Sequence, residues 1–135
     1  MLTLLAFASV VNSAPNITGD WVTADRNAVV RITSCGIQKC GTVVRVLARG
    51  PGVPQADVNN PDAALRSRPF VGLKVLSGFT AEASAWVNGR AYDPKTGRTY
   101  NAKLSLNPDG TLIVTGCVLF ICRSQRWIRI DAGSR

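Results

Sequence analysis

Residues 98–106, Arg98-Thr99-Tyr100-Asn101-Ala102-Lys103-Leu104-Ser105-Leu106, place Tyr100, Ala102, Leu104 and Leu106 in alternation with Asn101, Lys103 and Ser105. Successive side chains of a strand point to opposite faces, so the stretch reads as a β-strand with one core face and one wetted face. Asp93-Pro94-Lys95-Thr96-Gly97 precedes it and Asn107-Pro108-Asp109-Gly110 follows. Both segments put Pro where its φ is preset and Gly where a positive φ is wanted, which is the chemistry of tight turns. Outward from this strand, short apolar-alternating runs separated by Gly, Pro, Asn and Asp recur in both directions, and helical periodicity is almost absent. The pattern predicts an all-β chain of eight strands: Asp20–Thr23, Ala28–Ser34, Cys40–Ala48, Gly72–Phe79, Ser84–Tyr92, Arg98–Leu106, Thr111–Cys117 and Ser124–Ile130.

Every connection between these strands is short except residues 49–71, which favours an antiparallel up-and-down meander. Eight such strands remove their exposed edges most simply by closing into a barrel. In the long connection, between strands three and four, Asn60-Pro61-Asp62-Ala63-Ala64-Leu65-Arg66 supplies an N-cap, a Pro at the first helical position, an acid in the first turn and a cation in the last. A short lid helix is expected there. In a meander the turns after odd strands share one rim, so residues 24–27, 49–71, 93–97 and 116–123 should gather into a mouth.

The 135 residues carry 16 Lys and Arg against 8 acidic residues, a net charge of +8, and no histidine. One globular domain fits that length. The missing imidazole removes Ser-His-Asp and Cys-His nucleophile pairs, HExxH zinc sites and imidazole proton shuttles. Met1 to Ala14 carry no charged side chain and include the apolar run Leu2 to Val11 followed by Ser13 and Ala14. This is the shape of a secretory signal over residues 1–14, leaving residues 15–135 as a single barrel domain. The run is too short to span a bilayer and no second long apolar stretch follows, so no transmembrane span is expected. Cys35, Cys40, Cys117 and Cys122 form two copies of C-x4-C, without the spacing or histidine partners usual for structural zinc. Cys35 and Cys40 would face each other across a hairpin, and a link between the two pairs would have to run the height of the barrel. Local disulfides Cys35–Cys40 and Cys117–Cys122 are therefore expected, in keeping with an oxidising compartment.

Gly19-x-Trp21, Cys35-Gly36 with Cys40-Gly41, Asn60-Pro61-Asp62 leading to Leu65-Arg66-x-Arg68-Pro69, Gly72-Leu73 with Gly78-Phe79, Tyr92-Asp93-Pro94 with Gly97-x-Thr99-Tyr100, and Gly116-Cys117 followed by Cys122 and Gln125-x-Trp127-x-Arg129 together resemble the bacterial DUF2147 proteins. The likeness runs in order from about Gly19 to Ile130. It implies an exported protein of Gram-negative bacteria, periplasmic or secreted, with a lipocalin-like barrel, and it implies no particular activity. Asn88-Gly89 stands where a Gly-Gly-like turn is common in that family, and Phe120-Ile121 is bulkier than the Gly-rich stretch expected.

Trp21, following Gly19 at the start of strand one, is large enough to plug one barrel end, with Trp127 nearby and Arg129 on the last strand stacking across the indole. At the opposite end, Asn60, Asp62, Arg66, Arg68, Tyr92, Asp93 and Tyr100 are the candidate mouth residues. Arg66 and Arg68 have the geometry to hold a carboxylate or phosphate bidentately. Alternatively, Asp62 and Asp93 pair with these arginines and fasten the lid to the rim. No metal and no cofactor is expected, and catalysis is disfavoured without histidine or free thiol. The basic residues are scattered singly rather than in blocks, which speaks against nucleic acid, and like charge disfavours inhibition of a basic lysozyme. Two functions remain. One is a non-catalytic, monomeric binding module whose lumen residues Leu73, Val75, Ala102 and Leu104 accept a small amphiphile below a polar mouth. The other is an envelope-interaction module with a filled lumen, meeting anionic envelope components through its rim.

Overall fold

The computed structural model describes residues 13–130 together with Thr3. The expected signal segment, residues 1–14, lies almost wholly outside the described residues. Eight strands follow in order: β1 (Gly19–Val22), β2 (Ala28–Cys35), β3 (Gln38–Val46), β4 (Lys74–Glu82), β5 (Ala85–Asp93), β6 (Arg98–Leu106), β7 (Leu112–Val118) and β8 (Ile121–Ile130). They form a closed antiparallel barrel in sequence order, with β1 hydrogen-bonded to both β2 and β8. The eight-stranded meander read from the sequence is the fold.

The alternation that identified β6 sets its packing. Ala102 and Leu104 are buried, whereas Asn101 and Lys103 are exposed. Each strand contributes its inward residues to one core of Ile17, Trp21, Val30, Ile32, Val43, Leu76, Phe79, Trp86, Leu104, Leu112 and Trp127 among others. Trp21, Phe79, Ile17, Leu104 and Leu112 are each 0% exposed. The space for these groups is made partly by glycine: a Cβ on Gly89 would lie 2.4 Å from the Phe79 ring. Phe79 therefore packs directly on the backbone of the neighbouring strand β5.

The short lid between β3 and β4 is present as a single 3-10 turn, Ala63–Leu65. Two local expectations need correction, the first being that its N-cap is Asp62 rather than Asn60. Pro61 removes one donor and Asn60 is drawn inward, so Asp62 is the first residue whose carboxylate can reach a free amide, that of Ala64 at 3.0 Å. The connection 116–123 is no loop. β7 and β8 stay paired up to Val118↔Ile121, leaving only Leu119 and Phe120 to turn. The Cys117–Cys122 bridge, with Cα atoms 4.1 Å apart, ties the ladder together at its end. The Cys35–Cys40 bridge, with Cα atoms 5.9 Å apart, does the same at the β2–β3 hairpin on the other rim. Among the described residues no cysteine is free.

Candidate functional site

The two ends of the barrel are built differently. At the closed end the chain before β1 crosses the opening. Ile17 is buried, and its carbonyl accepts from the Trp21 indole at 2.9 Å. Arg129 lies over the Trp21 ring, 4.3 Å from its centre, and donates to the carbonyls of Thr18 at 2.7 Å and Asn16 at 3.0 Å. A Cβ on Gly19 would sit 3.1 Å from the same guanidinium, so the glycine clears its path. Trp127 is buried beside Leu112, and the Trp86 indole donates to the Pro15 carbonyl at 2.8 Å. A cation over an indole contributes about 0.5–2 kcal/mol, and here the stack also joins the first strand to the last.

The opposite rim carries the loops that follow β1, β3, β5 and β7. The β1–β2 turn is linked to the β5–β6 turn by the Asp25–Lys95 ion pair and to the long loop by Leu47, whose amide donates to the Asn27 carbonyl at 2.7 Å. Asp25 has its carboxyl held below the usual range. Burial opposes that shift, but the Lys95 ammonium and the Thr23 hydroxyl outweigh it. The loop closes on itself through an Ala56↔Pro69 bridge, giving the compact Ω shape of a loop packed by its own side chains.

Inside this Ω is the group that organises the rim, Asp57, a fully buried carboxylate. Its Oδ1 accepts from the Tyr92 hydroxyl at 2.6 Å, and its Oδ2 accepts from the Asn60 amide at 2.8 Å and from Arg68 at 3.4 Å. A buried charge is tolerated only when paired and hydrogen-bonded in this way. Its own amide donates to the Arg68 carbonyl at 2.9 Å, so side chain and backbone hold the same two chain segments. Tyr92 has its phenol pushed up to about 12 by burial, by its hydrogen bond to Asp57 and by that carboxylate's charge. It is a held proton donor rather than an acid-base group working at neutral pH.

The structure therefore brings Asn60, Arg68 and Tyr92 together around a residue that the sequence reading missed. Nothing in the local pattern marked Asp57: it stands in a loop, without periodicity, 11 residues from Arg68. The expected pairing of Asp62 and Asp93 with the arginines is not what forms. Asp62 caps the 3-10 turn, and Asp93 caps its own β-turn, accepting from the Lys95 amide at 3.0 Å. A loop carboxylate finds nearby backbone amides before a distant side chain, and both do so here. Arg66 donates through Nε to the Asn60 carbonyl at 2.8 Å. Tyr100 is half-buried on β6 and packs over Gly116, where a Cβ would lie 3.3 Å from its own. Gly97 has φ +73°, and a Cβ there would lie 1.9 Å from the Asn59 carbonyl oxygen. Glycine is thus required where the Ω loop rests on the β5–β6 turn. The Asn59 amide completes that seam by donating to the Lys95 carbonyl at 2.9 Å.

The family model described as uncharacterized protein conserved in bacteria (DUF2147) matches residues 19–129. No curated protein matches the chain. Among solved structures, HP1028 of Helicobacter pylori, described as belonging to the lipocalin family, superposes with a TM-score of 0.74 at 20% identity, covering 87% of this chain and 84% of that one. At that identity the likeness concerns the fold.

Proposed function

The chain belongs to the bacterial DUF2147 family, and from that premise we propose that it is an exported, monomeric, non-catalytic binding module that engages anionic envelope components through its loop-bearing rim. The observation that carries this reading is the filled lumen. Trp21, Phe79, Leu104 and Leu112 are fully buried along it, and Phe79 rests on Gly89 with no room for even a methyl group between them. Leu73, Val75, Ala102 and Leu104, the residues first considered for an apolar ligand, are committed to the same core. Small eight-stranded barrels are just wide enough for side chains to fill them.

Export is supported by the two disulfides and the signal-like residues 1–14. Pro15, the residue after the expected signal segment, lends its carbonyl to the Trp86 indole, so a chain starting at residue 15 keeps that contact. Native mass spectrometry of the protein taken directly from its cells tests the proposal. The expected species is a monomer starting near residue 15, four hydrogens lighter than the reduced chain and carrying no small molecule. A stoichiometric adduct, or four free thiols, would overturn it.

A second reading draws on the exposed guanidiniums of Arg66 and Arg68 and the half-buried Tyr100. There, Asn60, Asp62, Arg66, Arg68, Tyr92, Asp93 and Tyr100 hold a small anionic amphiphile at the mouth. It requires Arg66→Ala and Arg68→Ala to weaken binding of such a ligand without lowering stability. If both variants instead melt lower with binding unchanged, the arginines only fasten the rim.

A further inference from the structure

The β7–β8 hairpin ends in Val118, Leu119, Phe120 and Ile121, which are 48%, 84%, 96% and 70% exposed. Hairpin tips ordinarily carry Gly, Asn or Asp, both for solvation and because the turn needs positive φ. Here Leu119 occupies the left-handed region with φ 54°, a conformation unfavourable for a leucine. Water and backbone alike would therefore prefer another residue at this tip, and the tip is held in place all the same. The Cys117–Cys122 bridge lies directly beneath it. On its β8 side the hairpin also stands clear of the neighbouring strand. Among the described residues β1 pairs with β8 only over Ile128–Ile130, so β8 from Ile121 to Trp127 runs on beyond the end of β1.

The three strands that lead to this prong are cationic. β6, β7 and β8 carry Arg98, Lys103, Arg123, Arg126 and Arg129 and no Asp or Glu. Arg123 pairs with Gly116, one register step below the disulfide, and Arg98, Lys103, Arg123 and Arg126 are exposed. An apolar tip set above a cationic collar, on a chain of net charge +8, has the two components of peripheral binding to an anionic lipid surface: side chains that leave water for the acyl boundary, and cations that meet the headgroups.

We infer that the Val118–Ile121 tip is a lipid-docking point that inserts Leu119 and Phe120 into the interface of a bilayer bearing anionic headgroups, with Arg98 and Arg123 at headgroup level. This names the partner of the rim and rests on the rim-binding reading for its biological setting, although the binding itself is a property of the purified protein.

The test is flotation of the disulfide-bonded protein with vesicles of phosphatidylcholine alone or of phosphatidylcholine with phosphatidylglycerol at 3:1. It is run for the parent and for the double variant Leu119→Gly, Phe120→Asn, which puts glycine at the one central turn position with positive φ. The parent should float with the phosphatidylglycerol vesicles and not with phosphatidylcholine alone, and added salt should release it. Because two large apolar side chains leave water only in the parent, the double variant should partition at least about tenfold less while melting no lower. A Phe120→Trp variant should blue-shift on adding phosphatidylglycerol vesicles. A parent that stays with the soluble fraction, a double variant that floats as the parent does, or a tip-dependent dimer without flotation would each overturn the inference. None of those results alters the lumen or the native mass on which the rim-binding reading stands.

Discussion

Replacing Asp57 by alanine removes the one acceptor shared by three side chains, while leaving all three donors in place. Two of them, the Asn60 amide and the Tyr92 hydroxyl, lose partners at 2.8 and 2.6 Å in a site sealed by the Ω loop. Arg68 loses an ion pair at 3.4 Å but is half-exposed and can turn to water. A hydrogen bond to a charged group contributes about 1.5–3 kcal/mol, and breaking a buried ionic network by removing one partner costs about 3–5 kcal/mol. These three bonds converge on one carboxylate and do not add, and removing the carboxylate also relieves its own desolvation. A loss of about 2–4 kcal/mol follows, equivalent to a fall in Tm of about 8–15 °C for a domain of this size. Hydrogen exchange gives the local readout. The amides of Asp57, Arg68 and Phe70, which donate to the Arg68, Leu65 and Gln55 carbonyls, should lose protection first. Those of the β2–β3 ladder should hold until the barrel itself unfolds. A variant that melts within about 1 °C of the parent with loop protection unchanged would refute the assignment of Asp57 as the rim's organising group.

Three further outcomes are expected. Trp21→Ala should cost about 3–5 kcal/mol as a large buried aromatic and Arg129→Ala less, with a double-mutant cycle showing coupling because the groups are 4.3 Å apart; additive losses would contradict the stack. Gly97→Ala should loosen the Ω loop at about 1–3 kcal/mol, since a left-handed residue must there also clear the Asn59 carbonyl, and exchange at the β5–β6 turn would report it. Tyr92 binds its proton more tightly in the folded state than in the unfolded, so its contribution to stability is complete below about pH 10 and is lost as pH rises through about 12. In Asp57→Asn, the 295 nm tyrosinate transition should move down toward 10, because the carboxylate's charge, one of the three causes that raise it, disappears.

The architecture was legible because period-two alternation and turn chemistry agree at β6, and the positions of the loops then follow from meander topology alone. That logic placed residues 24–27, 49–71 and 93–97 on one rim, where the Asp25–Lys95 pair and the Asn59–Lys95 hydrogen bond join them. The contents of the rim were less legible. Asp57 is buried by loop packing, which leaves no periodic trace, and Asp62 and Asp93 serve nearby amides that outcompete arginines on other segments. Strand seven was ended at Cys117 and strand eight begun at Ser124, so the paired residues Val118 and Ile121 to Arg123 were counted with a connection. Their pairing depends on the disulfide and on the neighbouring strand rather than on local propensity.

The most direct test of the proposed filled-lumen reading is equilibrium titration with N-phenyl-1-naphthylamine, an uncharged apolar probe, in the parent and in Phe79→Ala, followed by quenching of tryptophan emission from Trp21, Trp86 and Trp127. The parent should show no stoichiometric binding and no quenching, whereas Phe79→Ala, with the ring over Gly89 removed, should bind one probe per barrel. One probe bound per parent molecule with matching tryptophan quenching would contradict the account.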